Sequence, residues 1–239
     1  MTIEQAVIYV LAPVVGYLLG SIPFGFLIGK AKGVDIRTTG SRNIGATNLG
    51  RTLGTKYFWY AFFFDVGKGF LPVLVVALLL RHWNIAGTRF PSWVPLVTAV
   101  ACVLGHTFPI YLKFKGGKGV ATSFGVLLGF WPLYTLAGIG AGLVFVVIVM
   151  IYRYISLASI VGSLSLVAFV AFLGTQSKWF TYTPPDQLWP LLAVAALFAA
   201  LIIFRHRANI ARLLKGTEPQ VGSRRPHNAS PNDPPASTP

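Results

Sequence analysis

The chain has 239 residues, of which 54% are hydrophobic and only 11% are charged. A soluble globular domain carries about 25% charged residues, so the composition argues against a water-soluble fold and excludes disorder over most of the chain. The formal net charge of +14 is compatible with an anionic lipid surface, an anionic substrate or nucleic acid. Nucleic acid is the weakest of the three because there is so little polar surface, and we expect no nucleic-acid partner.

The N-terminal segment lacks the basic region of a secretory signal, because Glu4 is its only charged side chain. We therefore interpret the first apolar stretch as a retained membrane span. The single cysteine, Cys102, lies in an apolar run and carries no redox signal.

Apolar runs predict about seven membrane-spanning helices, because a bilayer core of about 30 Å requires about 20 apolar residues per helix. The predicted spans are residues 3–28, 57–80, 93–112, 120–130, 133–152, 155–173 and 188–204. The fourth is short and spans only if its helix starts deep or the bilayer thins. The predicted fold class is an all-α integral membrane protein.

The distribution of basic residues predicts the orientation. Sixteen of the 20 Lys and Arg residues lie in one set of loops and the C-terminal segment, and three lie in the opposite loops. The positive-inside rule then places the N-terminus outside and the C-terminus in the cytoplasm, which requires an odd number of spans. Residues 219–239 are rich in Pro, Ser and Asn, so we expect a disordered tail after a transmembrane domain of residues 1–218.

The first cytoplasmic loop, residues 33–54, interleaves five glycines with small polar side chains and arginines. Glycines let backbone N–H groups approach an anion, hydroxyls and amides add hydrogen-bonding groups, and arginines supply charge. A basic loop that merely obeys the positive-inside rule would explain the arginines but not the glycines. We favour anion binding, with these candidates: Ser41, Asn43, Thr47, Asn48 and Arg51.

A second cytoplasmic stretch, residues 113–125, reads KFKGGKGVATSFG and leads directly into a predicted helix. A glycine-rich turn before a helix N-terminus presents unpaired N–H groups and the positive end of the helix dipole, which suits a phosphate. The pattern is not a Walker A loop, because Leu112 replaces the first glycine and Gly119 replaces the Ser or Thr after Lys118. A basic turn between two spans is the alternative. The candidates are Lys115, Gly116, Gly117, Lys118, Gly119 and Thr122.

Two groups of ionisable residues lie within predicted spans. Asp65 and Lys68 stand three residues apart on one helical face, and buried pairing and contact with a substrate are equally good interpretations. His106, in GHTFP, is interpreted as a hydrogen-bonded structural residue, because no Cys or acidic cluster accompanies it that would indicate a metal site.

The C-terminal motif FRHRANIARLLKGTE, residues 204–218, places His206 and Asn209 near one helical face. Composition alone favours a basic amphipathic helix end at the membrane surface over a catalytic site.

A family resemblance is carried by these segments taken in order: GSIPFGFLIGKAKGVDIR, GSRNIGATN followed by Arg51, DVGKG, GHTFP, KGGKGVAT, SLASI and HRANIARLLKGTE. Together they resemble the bacterial membrane-integral glycerol-3-phosphate acyltransferases that use acyl phosphate. The resemblance covers about residues 20–218. It implies transfer of an acyl group to the 1-hydroxyl of glycerol 3-phosphate, giving lysophosphatidic acid and phosphate, with no cofactor. It also implies seven spans in the bacterial inner membrane, a cytoplasmic active site, membrane lipids as surroundings and the acyl-phosphate-producing enzyme as a partner.

The resemblance also implies roles for individual residues. Ser41 and Arg51 match a first motif required for activity, and Lys118 with its neighbouring glycines matches a second motif associated with glycerol 3-phosphate binding. His206 and Asn209 match a third motif.

In the same third motif Glu218 is the more structural residue, and Ser159 is a candidate for the pocket. Because acyl phosphate is already activated, we expect direct attack by the acceptor hydroxyl, with the donor phosphate or His206 taking the proton. An organophosphate transporter is the main alternative, but it would place its basic groups near the bilayer midplane. A lipid-binding scaffold without chemistry is a second alternative.

Overall fold

The computed structural model describes residues 3–82, 93–176 and 185–222, and these residues form helices joined by loops, with no strand among them. The α-helices are α1 (Ile3–Ser21), α2 (Phe24–Ala31), α3 (Ala46–Leu53), α4 (Thr55–His82), α5 (Trp93–Thr107), α6 (Val120–Leu128), α7 (Leu133–Tyr152), α8 (Ile155–Thr175), α9 (Pro185–Arg205) and α10 (Arg207–Leu214). A 3₁₀ turn at Ile110–Leu112 follows α5.

Six helical segments in the described part of the chain are long and apolar enough to cross a membrane. They are Ile8–Ala31, Thr55–His82, Trp93–Leu112, Leu133–Tyr152, Ile155–Thr175 and Leu188–Arg205. Many of their large apolar side chains are exposed at the protein surface, as lipid contact requires. The predicted all-helical membrane fold is confirmed.

The first predicted span is not one continuous helix. The chain leaves helical geometry at Ile22 and Pro23, between α1 and α2. Proline has no N–H to donate and disfavours helical geometry at the residue before it, which explains the break. The carbonyl of Ile22 accepts a hydrogen bond from Lys68 Nζ at 2.7 Å instead.

The third and fourth predicted spans also differ from the observed helices. Helix α5 ends at Thr107, before Pro109, and the 3₁₀ turn completes the predicted span. Helix α6 has nine residues, so it is about 14 Å long and does not cross a bilayer core by itself. The total of seven spans and their orientation therefore stay predictions.

Glycines allow the closest helix contacts. A Cβ on Gly105 would lie 2.3 Å from the Tyr17 carbonyl oxygen, so α5 packs directly against the backbone of α1. A Cβ on Gly69 would lie 2.4 Å from the Thr122 carbonyl oxygen, and one on Gly125 would lie 2.0 Å from the Val66 carbonyl oxygen. Small residues at such crossings let helices associate closely in a membrane. Helix α6 is thereby held against α4.

The segment after Glu218 is anchored where it begins. The Val221 N–H donates to the Arg153 carbonyl at 2.7 Å, and Arg153 Nη2 donates to the Val221 carbonyl at 3.0 Å. Arg51 Nη2 donates to the Pro219 carbonyl at 3.3 Å. The expected disordered tail thus begins with residues that contact the helical body, and residues 223–239 lie outside the described part of the chain.

Candidate functional site

The glycine loop, residues 115–119, connects α5 to α6 at one end of the bundle. The Gly117 N–H donates to the His106 carbonyl at 3.1 Å, which folds the loop back onto the end of α5. Gly119 has a φ of +84° and is the N-cap of α6, a conformation that favours glycine. Lys118 therefore stands immediately before a helix N-terminus, as the sequence predicted.

Lys118 is linked to the C-terminal motif by a chain of short hydrogen bonds. Its Nζ donates to Asn209 Oδ1 at 2.6 Å, and Asn209 Nδ2 donates to Glu218 Oε1 at 2.7 Å. Asn209 and Glu218 are buried. The second and third predicted motifs, 91 residues apart at this contact, thus meet in one site.

Glu218 holds this site together by accepting hydrogen bonds from three side chains on two helices. Besides Asn209 on α10, Ser156 Oγ at the start of α8 donates to Oε1, and Arg212 Nε donates to Oε2, each at 2.7 Å. Burial alone would raise the pKa of Glu218, but the hydrogen bonds it accepts outweigh burial and lower the pKa. The ionised carboxylate is thus stabilised as the connecting group, which agrees with the structural role implied by the resemblance.

Lys118 lies in a strongly cationic environment. Burial is the largest cause that lowers the pKa of Lys118 to about 8; the charge of Glu218 opposes the shift, and the charges of Arg212, Arg51 and Arg205 add to it. Cations outnumber the single carboxylate among these groups, so the site is short of negative charge. A phosphate would supply it.

His206 is the N-cap of α10 and is buried. Its Nδ1 lies 2.8 Å from the Ile202 carbonyl oxygen, which can only accept, so Nδ1 carries the proton and donates. Burial, with the nearby charge of Lys118 as the next cause, lowers the pKa of His206 to about 4. At neutral pH the imidazole is therefore uncharged, and its Nε2 is an acceptor.

The first motif reaches the site through Arg51. This residue lies in the last turn of α3, and its charge interacts with those of Glu218 and Arg212. Asn48, on the same helix, is buried and donates through Nδ2 to the carbonyls of Ile36, Thr39 and Asn43 at 2.8–3.2 Å.

Asn48 Oδ1 also accepts from the Ser41 N–H at 2.8 Å. The Asn48 side chain thus organises the loop that carries Ser41, and its geometry favours positioning over direct anion contact. Ser41 itself is exposed, and its hydroxyl makes no hydrogen bond within the described residues.

Asp65, Lys68 and His106 form a buried network below the glycine loop. Lys68 Nζ lies 2.8 Å from Asp65 Oδ1, and His106 Nδ1 lies 3.6 Å from the same oxygen. Thr122 Oγ1 lies 3.1 Å from His106 Nδ1. Thr122, a candidate for phosphate contact, is therefore engaged inside the bundle. For Lys68, where pairing and substrate contact were both open, the geometry supports pairing.

The remaining candidates lie apart from the hydrogen-bond chain. Asn43 Oδ1 accepts from the Gly45 N–H at 2.9 Å, and Ser159 Oγ donates to the Ile155 carbonyl at 2.8 Å within α8. Thr47 is partly buried and Lys115 is exposed. Their predicted contacts with substrate stay predictions.

Three side chains of the site escaped the sequence analysis as candidates: Ser156, Arg205 and Arg212. Ser156 and Arg212 hold Glu218, and Arg205 donates to the Gly116 carbonyl at 2.7 Å and the Gly117 carbonyl at 3.1 Å. Arg205 and Arg212 stand within the quoted C-terminal motif, so their membership was visible, but their partners were not. Ser156 stands in the quoted SLASI motif, from which only Ser159 was taken as a candidate.

The fold and the site together define an integral membrane protein of helices with a cluster of cationic side chains at one end of the bundle. The family profile described as glycerol-3-phosphate acyltransferase matches residues 10–216. The glycerol-3-phosphate acyltransferase of Geotalea daltonii is 43% identical over 202 residues, covering 84% of this chain and 92% of that protein. The glycerol-3-phosphate acyltransferase of Aquifex aeolicus is 44% identical over 202 residues, covering 84% of this chain and 93% of that protein. The chain belongs to the glycerol-3-phosphate acyltransferase family.

Solved structures agree with the sequence comparison. The crystal structure of PlsY (YgiH), an integral membrane glycerol 3-phosphate acyltransferase, in its glycerol 3-phosphate form has a TM-score of 0.76 and 41% identity, covering 90% of this chain and 96% of that one. The lysophosphatidic acid form has a TM-score of 0.73, covering 90% and 95%. The family implied by the sequence resemblance is confirmed.

Proposed function

We propose that the protein transfers a fatty acyl group from acyl phosphate to the 1-hydroxyl of glycerol 3-phosphate, giving lysophosphatidic acid and phosphate. The observation that carries this proposal is the position of Lys118. This residue lies just before the N-terminus of α6, is hydrogen-bonded to Asn209 and is surrounded by excess positive charge. The names of the related proteins and the bound forms of PlsY support glycerol 3-phosphate as the acceptor.

Acyl phosphate suits the site as donor. Its phosphate is a good leaving group, so the protein needs only to stabilise charge and does not need to activate a poor leaving group. Arg51 and Lys118 supply positive charge for the departing phosphate and for the developing oxyanion. The acyl chain would lie among apolar side chains of the bundle while the anionic ends stay at the site.

The acceptor hydroxyl attacks the acyl carbon directly in this mechanism. An acyl-serine would need a base hydrogen-bonded to the serine, and Ser41 Oγ has no such partner in the described part of the chain. His206 Nε2 accepts a hydrogen bond from the attacking hydroxyl and orients it. A pKa of about 4 makes His206 a weak base at neutral pH, so the proton passes to the donor phosphate.

The site faces the cytoplasm of the bacterial inner membrane in this proposal. Support comes from the sixteen basic residues of one set of loops and the C-terminal segment, which include Arg51, Lys118 and Arg205. The enzyme that makes acyl phosphate would deliver its product at the same membrane face.

A donor comparison tests the proposed reaction. Purified protein is supplied with glycerol 3-phosphate and either palmitoyl phosphate or palmitoyl coenzyme A, and lysophosphatidic acid is quantified. We expect product with palmitoyl phosphate only. Product formed only with the thioester would refute acyl phosphate as the donor.

Intact-mass analysis tests direct transfer. The protein is mixed with labelled palmitoyl phosphate alone, quenched in acid and weighed, and we expect no acyl adduct. A stoichiometric adduct on Ser41 that is discharged by glycerol 3-phosphate would establish a two-step mechanism instead. The matched variant Ser41→Ala identifies the site of any adduct.

A further inference from the structure

Arg205, at the end of α9, has contacts that differ from those of an ordinary basic residue at a membrane surface. Its Nη2 donates to the Gly116 carbonyl at 2.7 Å, and its Nε donates to the Gly117 carbonyl at 3.1 Å. The guanidinium also lies over the Phe108 ring, 5.7 Å from the centroid. It thus binds two successive carbonyls of the glycine loop with a rigid fork of donors.

These contacts determine which way the loop peptides face. In a planar trans peptide the C=O and the N–H point in opposite directions. The peptide between Gly116 and Gly117 is therefore held at both ends, by Arg205 at its C=O and by the His106 carbonyl at its N–H, the latter at 3.1 Å. The next peptide has its C=O on Arg205, so the Lys118 N–H points away from the guanidinium.

No side chain could replace hydrogen within this clamp without displacement. A Cβ on Gly117 would lie 2.1 Å from His106 Nε2, and one on Gly116 would lie 2.3 Å from the His106 carbonyl oxygen. The loop is therefore packed on His106 from one direction and bound by Arg205 through its carbonyls. Lys118 follows directly, at the start of α6.

We propose that Arg205 is a positioning residue for phosphate binding: by holding the Gly116 and Gly117 carbonyls, it orients the Lys118 N–H and side chain toward the phosphate of the acceptor. This inference rests on the proposed function. Arg205 acts through the loop, so its loss weakens acceptor binding more than it slows acyl transfer. The ligand class is a phosphate monoester.

The test compares three substitutions in the full-length protein. Arg205→Gln removes the charge and keeps a polar side chain, whereas Arg205→Lys keeps the charge but not the fork. The control is Arg207→Ala, because Arg207 is exposed and its side-chain hydrogen bond and ring contact are both with Phe204, three residues before it, through the Phe204 carbonyl at 3.5 Å and the ring centroid at 4.8 Å. Two readouts are used: KM and kcat for glycerol 3-phosphate, and calorimetric titration of glycerol 3-phosphate without donor.

We expect Arg205→Gln to raise KM and Kd about 10- to 100-fold while kcat changes less than about threefold, as expected for losing charge-assisted hydrogen bonds that hold a binding loop. Arg205→Lys should lie between this variant and the wild type, and it keeps the test interpretable if Arg205→Gln does not fold. Unchanged KM and Kd in Arg205→Lys and in folded Arg205→Gln, or a fall in kcat alone, would overturn the inference. Failure of the wild type and Arg207→Ala to acylate glycerol 3-phosphate would refute the proposed function instead.

Discussion

Among single residues, Lys118 is the cation of the site with the clearest expected role in phosphate binding. Its Nζ is bonded to Asn209 at 2.6 Å, and it stands before the first turn of α6. Removing a charge-assisted hydrogen bond costs about 1.5–3 kcal/mol, or about 10- to 150-fold in affinity. We therefore expect Lys118→Ala to raise the KM for glycerol 3-phosphate by about that factor, measured by steady-state kinetics.

The matched control is Lys113→Gln, because Lys113 is exposed and lies three residues before Gly116, the first glycine of the loop. Lys113→Gln changes the net charge by the same amount as Lys118→Ala but leaves the hydrogen-bond chain intact, so the KM for glycerol 3-phosphate should stay near the wild-type value. Equal effects of the two substitutions would show that only the general surface charge matters, and Lys118 would then be removed from the site.

The lowered pKa of Lys118, about 8, predicts a pH dependence. The side chain binds phosphate only when protonated, so binding is strongest below about pH 8 and weakens as the pH rises through that value. A plot of KM against pH should therefore rise above about pH 8, and Lys118→Arg should move this rise to higher pH because arginine stays charged. A KM that is flat up to pH 10 would contradict this assignment.

At the scale of the helices, the close crossing of α4 and α6 places the start of α6 at the site. A Cβ on Gly69 would meet the Thr122 carbonyl oxygen at 2.4 Å, whereas one on Gly67 would meet nothing within 4 Å. We expect Gly69→Ala to destabilise the protein by about 1–3 kcal/mol, as overpacking does. Gly67→Ala should be neutral or stabilising, by up to about 1 kcal/mol, because alanine favours helix over glycine.

Thermal unfolding in detergent measures both substitutions, and activity at low temperature reports whether α6 has moved. The two glycines lie on the same helix, so any general effect of added side-chain volume is matched. Equal Tm values for the two variants would show that the α4–α6 contact is looser than described.

The sequence predicted helices better than it predicted their interruptions. Predicted spans 57–80 and 155–173 correspond to α4 (Thr55–His82) and α8 (Ile155–Thr175), whose ends lie within two residues of the predicted ones. Long apolar runs carry that information locally. The break at Ile22 and Pro23 was signalled by Pro23, whose effect on the preceding residue is well defined, but hydropathy alone does not register it.

The candidate site was only partly predictable. Lys118 and its glycines carry a local pattern, and Asp65 and Lys68 pair as their spacing of three residues allows. The bonds from Arg205 to Gly116, 89 residues away, and from Ser156 to Glu218, 62 residues away, depend on helix packing. A single sequence does not show which residues of distant helices contact each other, so these positioning roles could be recognised only in the structure.

At the scale of the whole molecule, the path of the chain supports seven crossings. Helix α6 begins beside the end of α5, and α7 returns to the same end, where Arg153 contacts Val221. The 20 residues of α7 extend about 30 Å, and we propose that the short α6 and the turn after it together complete the fourth crossing. An external N-terminus then places the C-terminus in the cytoplasm.

Cysteine labelling in intact cells tests this topology. Cys102 is buried, so a Cys102→Ala background with one cysteine introduced near the C-terminus, or in the segment 83–92, gives matched probes. We expect an impermeant maleimide to label the second site and to spare the first. Labelling of the C-terminal probe in unbroken cells would reverse the orientation.

Acyl transfer from acyl phosphate to glycerol 3-phosphate is tested most directly by measuring both products in one sample. Sealed proteoliposomes containing the protein are given palmitoyl phosphate and labelled glycerol 3-phosphate, and lysophosphatidic acid and inorganic phosphate are quantified together over time. We predict that, above the level in protein-free vesicles, the two products appear in equal amounts. At low acceptor concentration Lys118→Ala should slow the formation of both by about 10- to 150-fold. Accumulation of unmodified labelled glycerol 3-phosphate inside the vesicles, without lysophosphatidic acid, would contradict the account and indicate a transporter.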